Sequence, residues 1–478
     1  MKHERKPTFY ERLQICRNVE NTYSNFNITA TYSEVVEPNV LSHALRNFLL
    51  KNPTFTTNFF REEHSEDDAK ENGNNYTVKT VQLIRYTDVV EHRNISGTLD
   101  GNLLKSFNEV RFDLNVNTPP WRIIISEAKN KIYYTLAVDH ILGDANGSCN
   151  FHQDLLNEVA KLLKSKAQLQ QLDILLDYSK DAEVLAPLCP TTTDLVDLFT
   201  PSSLFTVVAI AKELFLPNFA KKLLDKYIYG YDFDTYPLFT NRGLQVPTKV
   251  NYRIINISAE ELENLLQFLR SKGTTFTPYF AAVASKTLQE VVFPHFHKNQ
   301  CSTKLLTVLD GRRYYPDLQN ELRYNYVVGF SEVILRPIPS SSGYEAVAES
   351  TASIAQRMKE DIDSKVGFKT IGLLSYVNIW DYIRSKIGSL DARVTMEVSN
   401  IGNKPIGNEE IEVLDLWFSQ DIGVSGHFVY SAVGTPSGGI NVVIASLDDV
   451  ENTVDPNTDV KVMDTFAKKL TTELKHYN

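Results

Sequence analysis

Apolar residues along this chain recur at two spacings, and the switches between them mark out its elements. Residues 9–19 and 37–51 repeat apolar positions every three or four residues, as a helix with one buried face does, and Pro38 sits where a helix start tolerates proline. Residues 27–33, 76–85, 121–126 and 132–139 are rich in β-branched and aromatic side chains and read as strands. The last two, WRIIIS and IYYTLAV, are separated by EAKNK, which predicts a hairpin. Helical spacing returns in FHQDLLNEVAKLL, residues 151–163.

A second series follows. Residues 250–257 read as a strand, and Ser258 and Glu261 have capping-box spacing ahead of LENLLQFLR. An apolar helix is predicted at 275–292, strands at 305–309 and 330–335, and helices at 344–363 and 373–387. Strands at 394–398, 413–418, 427–433 and 440–445 then precede a closing helix, 460–474. Strands and helices alternating in two halves predict an α/β fold of mixed sheets flanked by helices. The expected units are 1–165, a crossover at 166–249, and 250–478. Prolines loosen the pattern of the crossover, and residues 204–231 are apolar and aromatic. A helix packed on the core is the plainer reading of that stretch, with a substrate route or a membrane surface as alternatives. Residues 62–75 (EEHSEDDAKENGNN) show no period and predict a mobile surface insertion.

Composition narrows the function classes. At 478 residues the chain can build more than one core. A net charge of −10 argues against nucleic-acid binding, and any anionic cofactor would need local cations. The four cysteines form no close pair, so neither a disulfide scaffold nor a zinc finger is indicated. His295, His297 and Cys301 (HFHKNQC) lack a fourth ligand nearby, and no metal is expected. The opening MKHERKPTFYERLQ has no apolar leader. Cytoplasmic placement is expected, with peripheral contact at the endoplasmic reticulum or lipid droplets left open.

The chemistry concentrates after the 132–139 strand. His140 is expected at the strand end, on the small-residue turn GDANGS, just ahead of a helix. Loops held by rigid elements are where catalytic side chains tend to sit, and histidine moves protons near neutrality. Asp144 could pair with it, or could brace the loop through an arginine elsewhere. Cys149 raises the rival of a covalent thiol nucleophile, although a cysteine at a helix start more often packs as a small buried hydrophobe. Any oxyanion formed in a reaction there would also need a donor, for which Asn400, Ser425 and Ser148 are the candidates.

WRIIIS…YYTLAVDHILGDANGS resembles the His-x-x-x-Asp region of the coenzyme A-dependent acyltransferase superfamily, which includes chloramphenicol acetyltransferase. The closer likeness is to the fungal alcohol O-acetyltransferase family. YSNFNITATYS, TPYFAAVASKTL, LDGRRYYP, YNYVVGF and VSNIG follow in that family's order, across nearly the whole chain. One departure stands out. The family usually has Gly directly after the Asp, whereas this chain has Ala145 and delays Gly to 147; Ala would carry a cost there if that position needed a positive φ.

The resemblance implies two chloramphenicol acetyltransferase-like domains with a channel between them. It implies an acyl-CoA-dependent transferase, with acetyl-CoA as the expected donor, that makes esters from alcohols by direct transfer. His140 would be the general base, and Asp144 would turn to an arginine, Arg312 in preference to Arg313. Second-half basic residues, Arg270 or Lys272, would meet the coenzyme A phosphates. A hydrophobic or lipid-like amine is the alternative acceptor, and a non-catalytic binding protein is the reading from another class. A monomer is expected.

Overall fold

Each half of the chain is organised on one sheet, and this computed structural model describes residues 3–477 apart from 24, 66, 167, 218–219, 221–222, 224–235 and 391–393. The first half runs through helix α1 (Phe9–Val19), strand β1 (Phe26–Tyr32), helix α2 (Pro38–Lys51), strands β2 (Val90–Asn94), β3 (Trp121–Ala128) and β4 (Lys131–Val138), and helix α3 (Ala145–Ser165). The β3–β4 hairpin forms as its turn predicts, pairing Trp121 with Val138 and Ala128 with Lys131. Because strand side chains alternate, Ile123, Ile125, Tyr134 and Leu136 enter the first core, beside α2 and α3, while Ile124, Tyr133 and Ala137 enter the second.

The second half contains β5 (Val250–Ile257), α4 (Ala259–Ser271), α5 (Phe276–Thr287), β6 (Thr303–Asp310), β7 (Val328–Leu335) and α6 (Tyr344–Ser364). It continues with β8 (Val394–Asn403), β9 (Val413–Gln420), β10 (Gly426–Thr435), β11 (Gly439–Leu447) and α7 (Val462–Lys475). Its six-stranded sheet has the order β5-β11-β10-β8-β6-β7. β8 lies in the middle, parallel to β6 and to β10.

Strand β9 leaves its own half. The first sheet has the order β9-β1-β4-β3-β2, with Trp417 opposite Thr29 and Phe418 opposite Ile28. Leu416 and Phe418 fill the first core and Trp417 the second. A strand buried on both faces joins the halves, a pairing that no local pattern at 413–418 could reveal.

Three expectations need correcting. Residues 62–65 and 67–75 are a pinned segment, not a mobile insertion. Asp68 accepts from Arg61 Nε at 2.7 Å and Asn75 Nδ2 at 2.6 Å, and Asn72 accepts from the Ile379 N–H at 2.7 Å. The predicted helix at 373–387 breaks into a short turn, Leu373–Ser375, and a helix, Ile379–Lys386, because the Asn378 side chain caps Asp381 N. The predicted strand at 76–85 splits into Tyr76–Thr80 and Leu83–Arg85, and the latter pairs with Ile174–Asp177 in the crossover. Within the crossover, helix Ser203–Phe215 exposes Leu204, Val207 and Val208; much of the stretch up to 231 lies outside the described residues. Among the described residues no helix is long and apolar enough to cross a membrane.

Trp121 ties the first core together: it is 1% exposed, donates Nε1–H to the Phe55 carbonyl at 2.7 Å, and packs against Phe55 and Phe151. Trp121→Ala is expected to cost about 3–5 kcal/mol, as large aromatic truncations in cores do. Urea unfolding checks this, and a loss under about 1 kcal/mol would show the core packs otherwise.

Candidate active site

The site is built where β4 ends. Asp139 caps a single turn, His140–Leu142, by accepting from Ile141 N at 2.9 Å, and it also accepts from Asn18 Nδ2 at 2.8 Å. Burial pushes the Asp139 carboxyl up to about 6. His140 Nδ1 lies 2.8 Å from the Gly143 carbonyl oxygen. A carbonyl only accepts, so Nδ1 carries the ring proton and Nε2 keeps its lone pair. The ring packs among Phe26, Tyr326 and Tyr23, at centroid distances of 4.6, 4.9 and 5.6 Å. Burial first, and then the charge of Arg17, push the imidazole down to about 4. It is therefore neutral at neutral pH, the state in which it can accept a proton.

Asp144 points elsewhere. It is the N-cap of α3, accepting from Gly147 N at 2.8 Å, so the helix starts six residues before the apolar period becomes visible. Its two oxygens then take both ends of the Arg312 guanidinium, at 3.0 and 3.1 Å, and one also accepts from Val327 N at 3.0 Å. Arg312 stands just past β6 and also donates to Asp310 and to the Leu322 and Asn325 carbonyls. Burial pulls the guanidinium down, and the charges of Asp144 and Asp310 outweigh this and raise it. Arg313 does not reach Asp144. Ala145 is the first residue of α3, in helical conformation, so the departure from the family pattern needs no positive φ. The glycines matter for approach instead. A Cβ at Gly143 would lie 2.5 Å from the Tyr324 carbonyl, and one at Gly147 would lie 3.0 Å from that of Arg323.

His140 opens onto a cavity of about 460 Å³ between the two halves. Its wall mixes apolar side chains, Leu306, Val308, Val328 and Phe330 from β6 and β7 with Leu374, and polar ones, Arg17, Tyr23, Glu397, Gln420 and Ser425. Asn400 also lines it, but its amide donates to Thr277 Oγ1 at 3.0 Å. Ser425 Oγ donates to the Ile422 carbonyl at 2.8 Å. Ser148 is buried in α3, outside this wall. Arg270 and Lys272 are exposed at the end of α4, away from the cavity, where Lys272 covers the Tyr344 ring.

Cys149 is 1% exposed and burial pushes its thiol up to about 12, unsuited to a thiolate nucleophile. His297 is bonded to the Thr240 carbonyl, and among the described residues no group of three or more His, Cys, Asp or Glu could hold a metal ion. Arg17, Tyr326 and Glu397 escaped the sequence reading. Tyr326 lies inside YNYVVGF, and for Glu397 the available signal was the alternation in VTMEVS.

The halves and the cavity between them define the class. The trichothecene 15-O-acetyltransferase TRI3 from Fusarium sporotrichioides superposes with a TM-score of 0.67 at 11% identity, covering 99% of this chain and 95% of that one. The first condensation domain of the CDA synthetase superposes with a TM-score of 0.59 at 14% identity, covering 99% and 96%. This is the two-domain, chloramphenicol acetyltransferase-like fold of mixed sheets flanked by helices. Within it, the chain belongs to the alcohol acetyltransferase family, whose model matches residues 8–470. Alcohol O-acetyltransferase 1 of Saccharomyces cerevisiae is 23% identical over 94% of this chain and 91% of its own length. N-acetyltransferase SLI1 of the same yeast is 19% identical over 91% and 94%. The chain is an acyl-CoA-dependent acyltransferase.

The Asp144–Arg312 pair supplies a test of how the site is held. Asp144→Ala leaves a buried guanidinium without its main partner and is expected to cost about 3–5 kcal/mol. Adding Arg312→Met should recover part of that loss. Chemical denaturation of both variants checks it; a single variant as stable as the parent would contradict the bracing role.

Proposed function

We propose that this protein esterifies an alcohol with the acyl group of acetyl-CoA, by direct transfer and with His140 as general base. Nε2 takes the proton of the acceptor hydroxyl, and the oxygen attacks the thioester carbonyl. The tetrahedral intermediate then collapses, the carbon–sulfur bond breaks, and the imidazolium returns its proton to the departing thiolate. The observation that carries this reading is the imidazole at the cavity wall with Nδ1 2.8 Å from the Gly143 carbonyl oxygen, a contact that puts the ring proton on Nδ1 and leaves the Nε2 lone pair to accept. Asp144 holds the turn through Arg312 and does not touch the ring.

For the developing oxyanion, Asn400 and Ser425 both line the cavity. The Asn400 amide gives one N–H to Thr277 and keeps a second to offer, whereas Ser425 spends its single proton on the Ile422 carbonyl and must exchange that bond to serve. An amine acceptor is the second reading, supported by the likeness to N-acetyltransferase SLI1, since the same base would take the proton that a neutral attacking amine sheds as the carbon–nitrogen bond forms.

His140→Ala is expected to lower turnover of acetyl-CoA by about 10²–10⁴-fold while the protein stays folded. Labelled acetyl-CoA with a panel of alcohols and lipid-like amines reads both the loss and the acceptor class. Full turnover in the variant would refute the base. Transfer to amines alone would replace the alcohol reading.

A further inference from the structure

Glu397 is hard to explain as part of a sheet. It stands in the middle of β8, and its in-register neighbours are Leu306 on β6 and Val429 on β10. Along β8 the side chains alternate: Met396 and Val398 enter the second core, while Glu397 and Ser399 face the cavity that holds His140. Glu397 is 8% exposed. Carboxylates are depleted in strands, and a buried one is costly without a partner.

The protein supplies little. Among the described residues Glu397 forms no ion pair, and Arg17 acts on it through space. Ser425 is its hydrogen-bonding neighbour, but the Ser425 proton already goes to the Ile422 carbonyl at 2.8 Å. Burial accordingly raises the carboxyl, with Ser425 and Arg17 pulling the other way. The charge of Glu397 is also felt by Tyr23 and Tyr326, the rings packed against His140, which places it within electrostatic reach of the base. A carboxyl kept under-satisfied in the wall of a substrate cavity is a receptor for a donor that the ligand brings.

We infer that Glu397 selects the acceptor, accepting a hydrogen bond from a second O–H or N–H group carried beside the one being acylated. The inference rests on the acyl-transfer reading of the His140 cavity. The acceptor it describes is amphipathic: an apolar chain against Leu306 and Phe330, and a head with two donors, as in a long-chain diol or amino alcohol.

The test uses the purified full chain, acetyl-CoA and three acceptors of matched carbon number: a primary alkanol, the 1,2-diol and the 2-amino-1-alkanol. The parent enzyme is expected to favour at least one of the two-donor acceptors over the alkanol by roughly tenfold or more in kcat/KM, the scale of a hydrogen bond to a charged group. In Glu397→Leu, or in the smaller Glu397→Ala should the first not fold, that ratio should fall to near one. Glu397→Gln separates the two sources: a preference for a hydroxyl survives it, and a preference for an ammonium does not. Equal kcat/KM for all three acceptors in the parent, or an unchanged ratio in the apolar variants, overturns the inference. Absence of turnover with every acceptor is a different result, and it tells against the acyl-transfer reading itself.

Discussion

The arrangement depends on a buried, two-pronged ion pair between groups 168 residues apart in sequence. Asp144 belongs to the first half and Arg312 to the second, and the carboxylate that caps α3 also binds the guanidinium standing past β6. Two charges withdrawn from water are costly unless their lone pairs and protons are filled. Here Gly147 N, Val327 N, Asp310 and two carbonyls fill them. The turn carrying His140 is thereby pressed against the Tyr324–Tyr326 segment, and glycines at 143 and 147 allow the backbones to meet. The same contact closes one side of the cavity.

Strand β9 makes the second weld. It feeds Leu416 and Phe418 to one core and Trp417 to the other, so the halves share a strand as well as an ion pair. The cavity between them is therefore walled by elements that cannot part without exposing apolar surface. This gives the imidazole a fixed setting among Phe26, Tyr23 and Tyr326, and that setting is what holds it neutral.

Much of the fold was legible because burial imposes short-range periods. IYYTLAV and WRIIIS read as a hairpin, the Ser258–Glu261 cap marked α4, and the α/β alternation gave the fold class. What escaped was long-range. The start of α3 was hidden because ANGSC carries no apolar period and the helix there is set by the Asp144 cap. Residues 62–65 and 67–75 looked unstructured because their order comes from Arg61 and from the Asn72 contacts near residue 379. At the site, His140 stood out by its turn, whereas the spacing of Asp144 left two partners open and only the resemblance pointed to an arginine. Arg17 and Glu397 carried no motif; topology alone brings them to the cavity wall.

The central claim is that the His140 imidazole is neutral, protonated on Nδ1 and open at Nε2. Nitrogen-15 NMR of the histidine rings, with His140 assigned by substitution, reads tautomer and charge directly across about pH 5 to 8, where an ordinary histidine titrates. The expected result is a neutral Nδ1–H ring throughout that range. A ring that gains a proton near 6.5, or one protonated on Nε2 when neutral, would contradict the account.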